Sequence, residues 1–292
     1  MNDAIRALGA RLGPDVVGAV RAIYALEQEA LAASLAPLLR DGAYGPDPRH
    51  RLDLYRTGDD AAPPRPVLLF VHGGGFVLGD KGGATPQDWQ NAHVGRWAAR
   101  LGFVGAVMNY RLAPGATWPS GAEDVGAAVA WLKANVAEFG GDPARIVLMG
   151  TSAGATHVAG YIDRFASHAS DVRAAILLSG LYGYEPLEAR DERYYGPAAG
   201  YAERCPRAGL VATECPLFIA CAHFDPALFQ AEWLGLLAER KARRGALDWG
   251  HLANGHTHYS LPMHLGTTDR TLSADLEAFL ADHLTKETTD DD

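Results

Sequence analysis

The chain switches repeatedly between two spacings of apolar residues. "HRLDLYR", residues 50–56, alternates apolar and polar positions with period two, as a half-buried strand does. "PVLLFVHG", "GFVGAVMNY", "ARIVLMG", "RAAILLSG" and "PLFIACAH" are instead short, almost unbroken apolar runs. Runs of that kind suit parallel strands covered on both faces. Between them lie segments with helical spacing, at 86–101, 120–138, 152–168 and 226–244. A last strand, "ALDWGHL", and a last helix over 269–285 complete the series. Strands alternating with helices predict βαβ crossovers, and hence a mostly parallel central sheet of about eight strands flanked by helices.

Two segments stand outside this rhythm. Residues 3–39 carry helical periodicity, broken at Gly13-Pro14, and precede every predicted strand. They cannot belong to the central alternation and must pack outside it. Residues 181–210 are rich in Tyr, Gly, Pro and charge and read as an insertion. The expected organisation is therefore an N-terminal helical cap segment over 1–45 and a catalytic domain over 46–292, with a cap insertion around 181–210. The final "KETTDDD" reads as a frayed acidic tail.

Composition narrows the function classes. A hydrophobic share of 48% with 21% charged residues is that of an ordinary globular chain, and the apolar runs are too short to span a membrane. The net charge of −9 argues against nucleic acid and acidic membrane surfaces as partners. A small neutral substrate remains, with a monomer or homodimer as the expected state. The N-terminus has an early Asp3 and no unbroken apolar core, unlike a signal peptide, and the three cysteines have no ligand-like spacing. Both features point to a reducing compartment, with the cytoplasm as default.

Candidate chemistry sits at the ends of the apolar runs. "GTSAG", residues 150–154, places Ser152 between small residues where a strand turns into a helix, the pattern of a nucleophile elbow. "VHGGGF", residues 71–76, follows another run; its glycines supply a loop whose N–H groups can face an oxyanion. It lacks the Lys-Ser/Thr ending of a phosphate loop. A serine nucleophile needs a base, and the base an orienting acid, here in the order Ser, Asp, His. Asp225 follows "PLFIACAH", where a helix N-cap is the competing reading. "NGHTHYS" offers two bases, His256 and His258, in what reads as a loop after the last strand. His251, His256, His258 and His264 crowd one segment, but no acidic or thiol ligand completes a recognisable metal spacing, so neither metal nor cofactor is expected. His157 reads as a packed structural residue, and Glu123 and Asp124 as first-turn acids of a helix. Phe76, Tyr24, Trp118 and Tyr182 are candidates for an apolar substrate pocket, with plain core packing as the alternative.

These motifs resemble the hormone-sensitive-lipase family of carboxylesterases, which have the α/β-hydrolase fold. "VHGGGF" is similar to that family's oxyanion motif, "NYRLAPGATWPSGAED" to its stretch from the fourth strand into the next helix, and "FGGDPARIVLMGTSAG" to its approach to the nucleophile. The similarity spans about residues 50–270. The resemblance implies Ser152 as nucleophile, Asp225 as acid, and Gly73, Gly74 and Ala153 as the oxyanion hole. In related esterases and formamidases the base is followed by an aromatic or bulky residue, which favours His258, before Tyr259, over His256. The implied activity is hydrolysis of carboxylic esters with short to medium acyl chains through an acyl-enzyme. An amidase or arylformamidase using the same triad is the alternative, and a non-catalytic receptor of the same fold a more distant one. In this family an N-terminal segment joins an insertion to roof the site; here Ile23, Tyr24, Leu26 and Leu31 are the positions expected to close over Ser152.

Overall fold

In the computed structural model, residues 2–58 and 63–284 are described. The acidic tail at 286–292 lies outside them. Eight strands form one sheet: β1 (Leu39–Ala43), β2 (Arg51–Tyr55), β3 (Arg65–Val71), β4 (Val104–Met108), β5 (Gly141–Thr151), β6 (Ala174–Leu178), β7 (Leu217–Phe224) and β8 (Trp249–Thr257). Their order is β1-β2-β4-β3-β5-β6-β7-β8. β4, β3 and β5 to β8 run parallel; β2 pairs antiparallel with β4, and β1 antiparallel with β2. β4 and β6 are buried at every position, because helices cover both faces of the sheet. Alternate residues of β3 show this directly. Val67, Leu69 and Val71 enter one apolar core, while Leu68 and Phe70 enter the other.

The flanking helices include α1 (Asn2–Leu8), α2 (Pro14–Ser34), α3 (Ala92–Arg100), α4 (Ser120–Asn135) and α5 (Ala153–Arg164). α4 and α5 pack on the face with Leu69, α3 on the opposite one. β1 was not expected from the sequence. "LRDGA" has no apolar run, and the strand exists because it completes an antiparallel edge on β2. β8 also differs, reaching Thr257 instead of ending near 252, so the expected loop "NGHT" is strand. Of the two acids of α4, Glu123 lies in the first turn as expected, while Asp124 departs from that reading. Asp124 is buried and accepts from the Arg111 backbone N–H at 2.7 Å and its Nε at 2.8 Å, with His50 Nε2 at 3.0 Å. It ties the loop after β4 to that before β2.

No helix among the described residues is long and apolar enough to cross a membrane. α1 packs against β8 and α2 against α3, outside the βα alternation. Ile5, Val16, Val20 and Tyr24 form a separate small core there with Trp89 and Met263. Leu26, expected to face inward, is 86% exposed, because it lies on the opposite side of α2 from buried Val20, Tyr24 and Leu31. Gln28 anchors the same buried face, its Nε2 donating to the Met263 and Leu265 carbonyls, both at 2.9 Å. Replacing Gln28 by Ala leaves two buried carbonyls without this donor. We expect a loss of about 1–3 kcal/mol in unfolding free energy, read from denaturant titration followed by circular dichroism. A change near zero would contradict an anchoring role for Gln28.

Candidate active site

The carboxyl ends of β3, β5, β6, β7 and β8 meet at one edge of the sheet. After β5 the chain turns through Ser152, at φ 52° and ψ −123°, directly into α5. That backbone is rare for a residue with a side chain. It persists because the positions two residues to either side, Gly150 and Gly154, carry no side chain. A Cβ at Gly154 would lie 2.0 Å from the Val71 carbonyl oxygen, and one at Gly150 would lie 2.4 Å from that of Gly154. The absence of both side chains lets α5 start against β3, with Ser152 at the apex.

The loop after β3 passes beside the elbow. Its His72 is fully buried, and its Nδ1 is 2.6 Å from the Gly73 carbonyl. Burial pushes the imidazole down to about 4, so it is neutral at ordinary pH and Nδ1 carries the proton donated to that carbonyl. Tyr110 stacks on His72, and its hydroxyl donates to the His72 carbonyl at 3.0 Å. Among the described residues, the N–H groups of Gly73, Gly74 and Ala153 make no internal hydrogen bond. These three residues line one cavity with Ser152.

Asp225 follows β7 and is buried. Its Oδ1 lies 2.6 Å from His258 Nδ1, the first residue after β8. Its Oδ2 accepts from Ser179 Oγ at 2.6 Å, the Ala222 N–H at 2.7 Å and Cys221 Sγ at 3.2 Å. Burial alone would raise the carboxyl; the adjacent His258 and the donors outweigh it and hold Asp225 below the usual carboxylate range. The ring of Phe229 lies 4.5 Å from that of His258. No hydrogen bond joins Ser152 to His258 among the described contacts, although both line the same cavity. Such bonds are often long before substrate binds.

His256 goes elsewhere. Its Nδ1 meets Ser260 Oγ at 3.0 Å and its Nε2 meets Asp269 at 3.4 Å. His256, His264 and Asp269 bring their ligand-type atoms within 4.8 Å of one another. Donors sharing a zinc ion at bonds of about 2.1 Å sit closer than this, roughly 3.5 Å apart in a tetrahedron. His264 Nδ1 is also bonded to the Ser260 carbonyl, and its Nε2 accepts from the Leu272 N–H. The donor set fits a buried hydrogen-bonded knot better than an ion.

Of the four pocket candidates, only Phe76 lines the cavity. Tyr24 is buried in the N-terminal core, with its hydroxyl 3.5 Å from Asp269. Tyr182 is buried in the main core, its hydroxyl accepting from the Gly180 N–H. Trp118 packs beneath Phe76 and Ala153, with the Arg164 guanidinium 4.7 Å over its ring. In each case the aromatic face was legible but not the direction in which the fold turns it. His157, also buried, packs against Phe76, Tyr110 and Tyr194; burial pushes it down to about 3. Sequence reasoning missed Ser179, Cys221 and Glu232. Glu232 accepts from the N–H groups of Tyr182, Gly183, Tyr184 and Glu185 and so fixes the start of the segment between β6 and β7. The one available signal was position: Ser179 and Asp225 follow neighbouring parallel strands.

The cavity measures about 570 Å³. Leu12, Pro14 and Val17 wall one side of it, and Arg190, Asp191 and Arg193 of the segment between β6 and β7 another. Residues 52–174 match the BD-FAE family model. The hyperthermophilic esterase from Pyrobaculum calidifontis superposes with a TM-score of 0.67 at 23% identity, covering 96% of each chain. EstE1, a carboxylesterase from a metagenomic library, superposes at 0.69 with 22% identity, over 92% of this chain and 98% of that one.

The chain has the α/β-hydrolase fold.

The fold implied by the resemblance to the hormone-sensitive-lipase family of carboxylesterases is borne out. Esterase LipC of Mycobacterium tuberculosis is 43% identical over 111 residues, 38% of this chain and 26% of LipC. Esterase LipQ of the same organism is 29% identical over 76% of this chain and 57% of LipQ. Isoprenylcysteine alpha-carbonyl methylesterase ICME of Arabidopsis thaliana is 37% identical over 41% of this chain and 26% of ICME. The chain thus spans from about a quarter to little over half of the length of these relatives.

Asp191 is the least satisfied acid of the cavity wall. It is buried, its Oδ2 has no partner, and Arg190 Nε stands 3.6 Å from Oδ1. Burial pushes its carboxyl up to about 6. A native value above the unfolded one favours the neutral form. The contribution is therefore full at acid pH, below the unfolded pKa, and is lost as pH rises through about 6. Asp191→Asn should remove this dependence, gaining on the order of 3 kcal/mol relative to wild type between pH 4 and pH 8. Denaturant unfolding of both proteins at the two pH values checks it; parallel pH profiles would contradict it.

Proposed function

We propose that this α/β-hydrolase is a carboxylesterase that cleaves esters of short to medium acyl chains with Ser152, His258 and Asp225. The observation that carries the reading is the buried 2.6 Å bond from Asp225 to His258, at the lip of the cavity that Ser152 shares. Asp225 fixes the ring with Nδ1 protonated, so Nε2 is the basic nitrogen. Nε2 takes the Ser152 hydroxyl proton as Oγ attacks the ester carbonyl. The N–H groups of Gly73, Gly74 and Ala153 receive the developing oxyanion. His258 returns the proton to the departing alcohol, leaving an acyl-Ser152. Water then enters, gives its proton to His258, and the carboxylic acid leaves as Ser152 is regenerated. No step calls for a metal or cofactor. The names of LipC, LipQ and ICME support ester hydrolysis as the reaction class.

The cavity volume supports the substrate range. Small-ligand sites run from about 300 to 1,000 Å³, and the value here is in the lower half of that range. The N-terminal segment and the 181–210 insertion act together as a cap in this reading. The cap face is Leu12, Pro14 and Val17, not the expected Tyr24. Its role is to exclude water from the acyl site and to limit chain length. Three free cysteines, two of them buried, support a reducing cytoplasmic setting.

The test is a panel of p-nitrophenyl esters of rising acyl length, beside anilides and N-formyl arylamines. We expect highest kcat/KM at acyl chains of about two to eight carbons, with slower turnover of the C–N substrates. His258→Ala should lower kcat by several orders of magnitude, on the scale known for triad losses, whereas His256→Ala should leave much of it. Faster cleavage of formamides than of any ester would replace the esterase reading with the amidase one. Equal losses for the two histidine variants would break the assignment of the base.

A further inference from the structure

The acid of the triad is held by more than its histidine. Asp225 Oδ2 accepts three hydrogen bonds, and two come from side chains that no other step requires. Ser179 approaches from the end of β6, itself in a left-handed backbone at φ 49°, with its N–H bound to the Ala220 carbonyl at 2.9 Å. That conformation aims its hydroxyl across to Asp225 at 2.6 Å, the same distance as the His258 bond. Cys221 lies within β7 and is fully buried, its Sγ 3.2 Å from Oδ2 and 3.4 Å from the Ala222 carbonyl. We propose that Ser179 and Cys221 are positioning residues: their side-chain donors orient the Asp225 carboxylate so that Oδ1 faces His258, and they spread its charge over Oδ2.

The inference rests on the reading that Asp225 and His258 serve Ser152. Its physical basis is the cost of a buried carboxylate, which must be met by hydrogen bonds. One donor, the Ala222 N–H, is fixed by the backbone and is present in any variant. The other two are removable. Burial and the neighbouring Asp225 push the Cys221 thiol far up, so it stays protonated and acts as a donor, not as a nucleophile. The titratable groups facing Asp225 are His258 from the end of β8, Cys221 from β7 and Tyr182 from the loop after β6, whose phenol burial also keeps protonated. The helix after Asp225 presents Phe229 and Gln230, neither of which titrates.

Loss of a donor leaves the negative charge more concentrated on Asp225. That charge then holds the His258 proton to higher pH, and the acid limb of kcat/KM moves upward. The test compares pH profiles for p-nitrophenyl acetate in the full-length protein. Ser179→Ala should lower kcat about 10- to 100-fold with KM within about twofold. It should also raise the acid limb by about one pH unit. Cys221→Ala should move the limb the same way by less, and Cys221→Ser, which keeps a donor, should restore it. Ser179→Gly removes the hydroxyl without the left-handed strain and carries the test if Ser179→Ala does not fold. A purely structural role would lower stability without moving the limb. Acid limbs of Ser179→Gly and Cys221→Ala that coincide with wild type would overturn the proposal. Should Ser152→Ala or His258→Ala keep full turnover, it is the triad reading that fails. The far-downfield proton resonance of His258 Nδ1 then still reports positioning. It should weaken or shift in Ser179→Gly, and an unchanged resonance overturns the inference.

Discussion

The approach of α5 to β3 at Gly154 sets the rest of the site. With Gly154 lying where a Cβ would stand 2.0 Å from the Val71 carbonyl oxygen, helix and strand are closer than any side chain permits. Ser152 is forced into φ 52° at the corner, a conformation costing on the order of 1–3 kcal/mol. The packing around it over-determines that strain. Ala155, Val158 and Ala159 of α5 are fully buried in the same core as Leu69 and Leu148. The strain is local, while the burial that offsets it extends over a whole helix face. Gly73 then comes close enough that its own Cβ would lie 3.2 Å from that of Ser152.

Electrostatics around this corner separate one imidazole from the others. His72 and His93 are each pushed to about 4, and His157 and His264 to about 3, all by burial. Those rings act as neutral packing and hydrogen-bonding groups at working pH. His258 is bonded to a buried carboxylate that is itself held by three further donors on Oδ2. The crowd of histidines in 251–264 thus divides into His258 on Asp225, a knot with Asp269, and His251 on Asp275 at 2.7 Å. Sequence spacing could not make that division, because it depends on which residues β7 and the helix from Ser273 bring alongside.

What the sequence disclosed was what repeats locally. Unbroken apolar runs marked the parallel strands, since both faces of each are covered, and glycines marked the elbow and the loop after β3. The chain order behind the proposed chemistry, Ser152 before Asp225 before His258, could also be read from the sequence. Contacts closed only by tertiary packing were not. β1 has no pattern apart from its partner, and Asp124 looks like any first-turn acid until Arg111 and His50 are folded onto it. Tyr24, Trp118 and Tyr182 could each face a cavity or a core; the fold buries Tyr24 and Tyr182 and leaves Trp118 half-buried against Phe76 and Ala153. Glu232 and Ser179 gain meaning only because neighbouring segments place N–H groups or a carboxylate beside them.

The central claim is that one strained serine at the end of β5 is the nucleophile. Mass spectrometry of the protein after exposure to a fluorophosphonate tests it most directly. The account predicts a single phosphonyl adduct, on the peptide containing Ser152, formed in step with loss of esterase activity. An adduct on any other residue, or full inactivation with Ser152 unmodified, would contradict it.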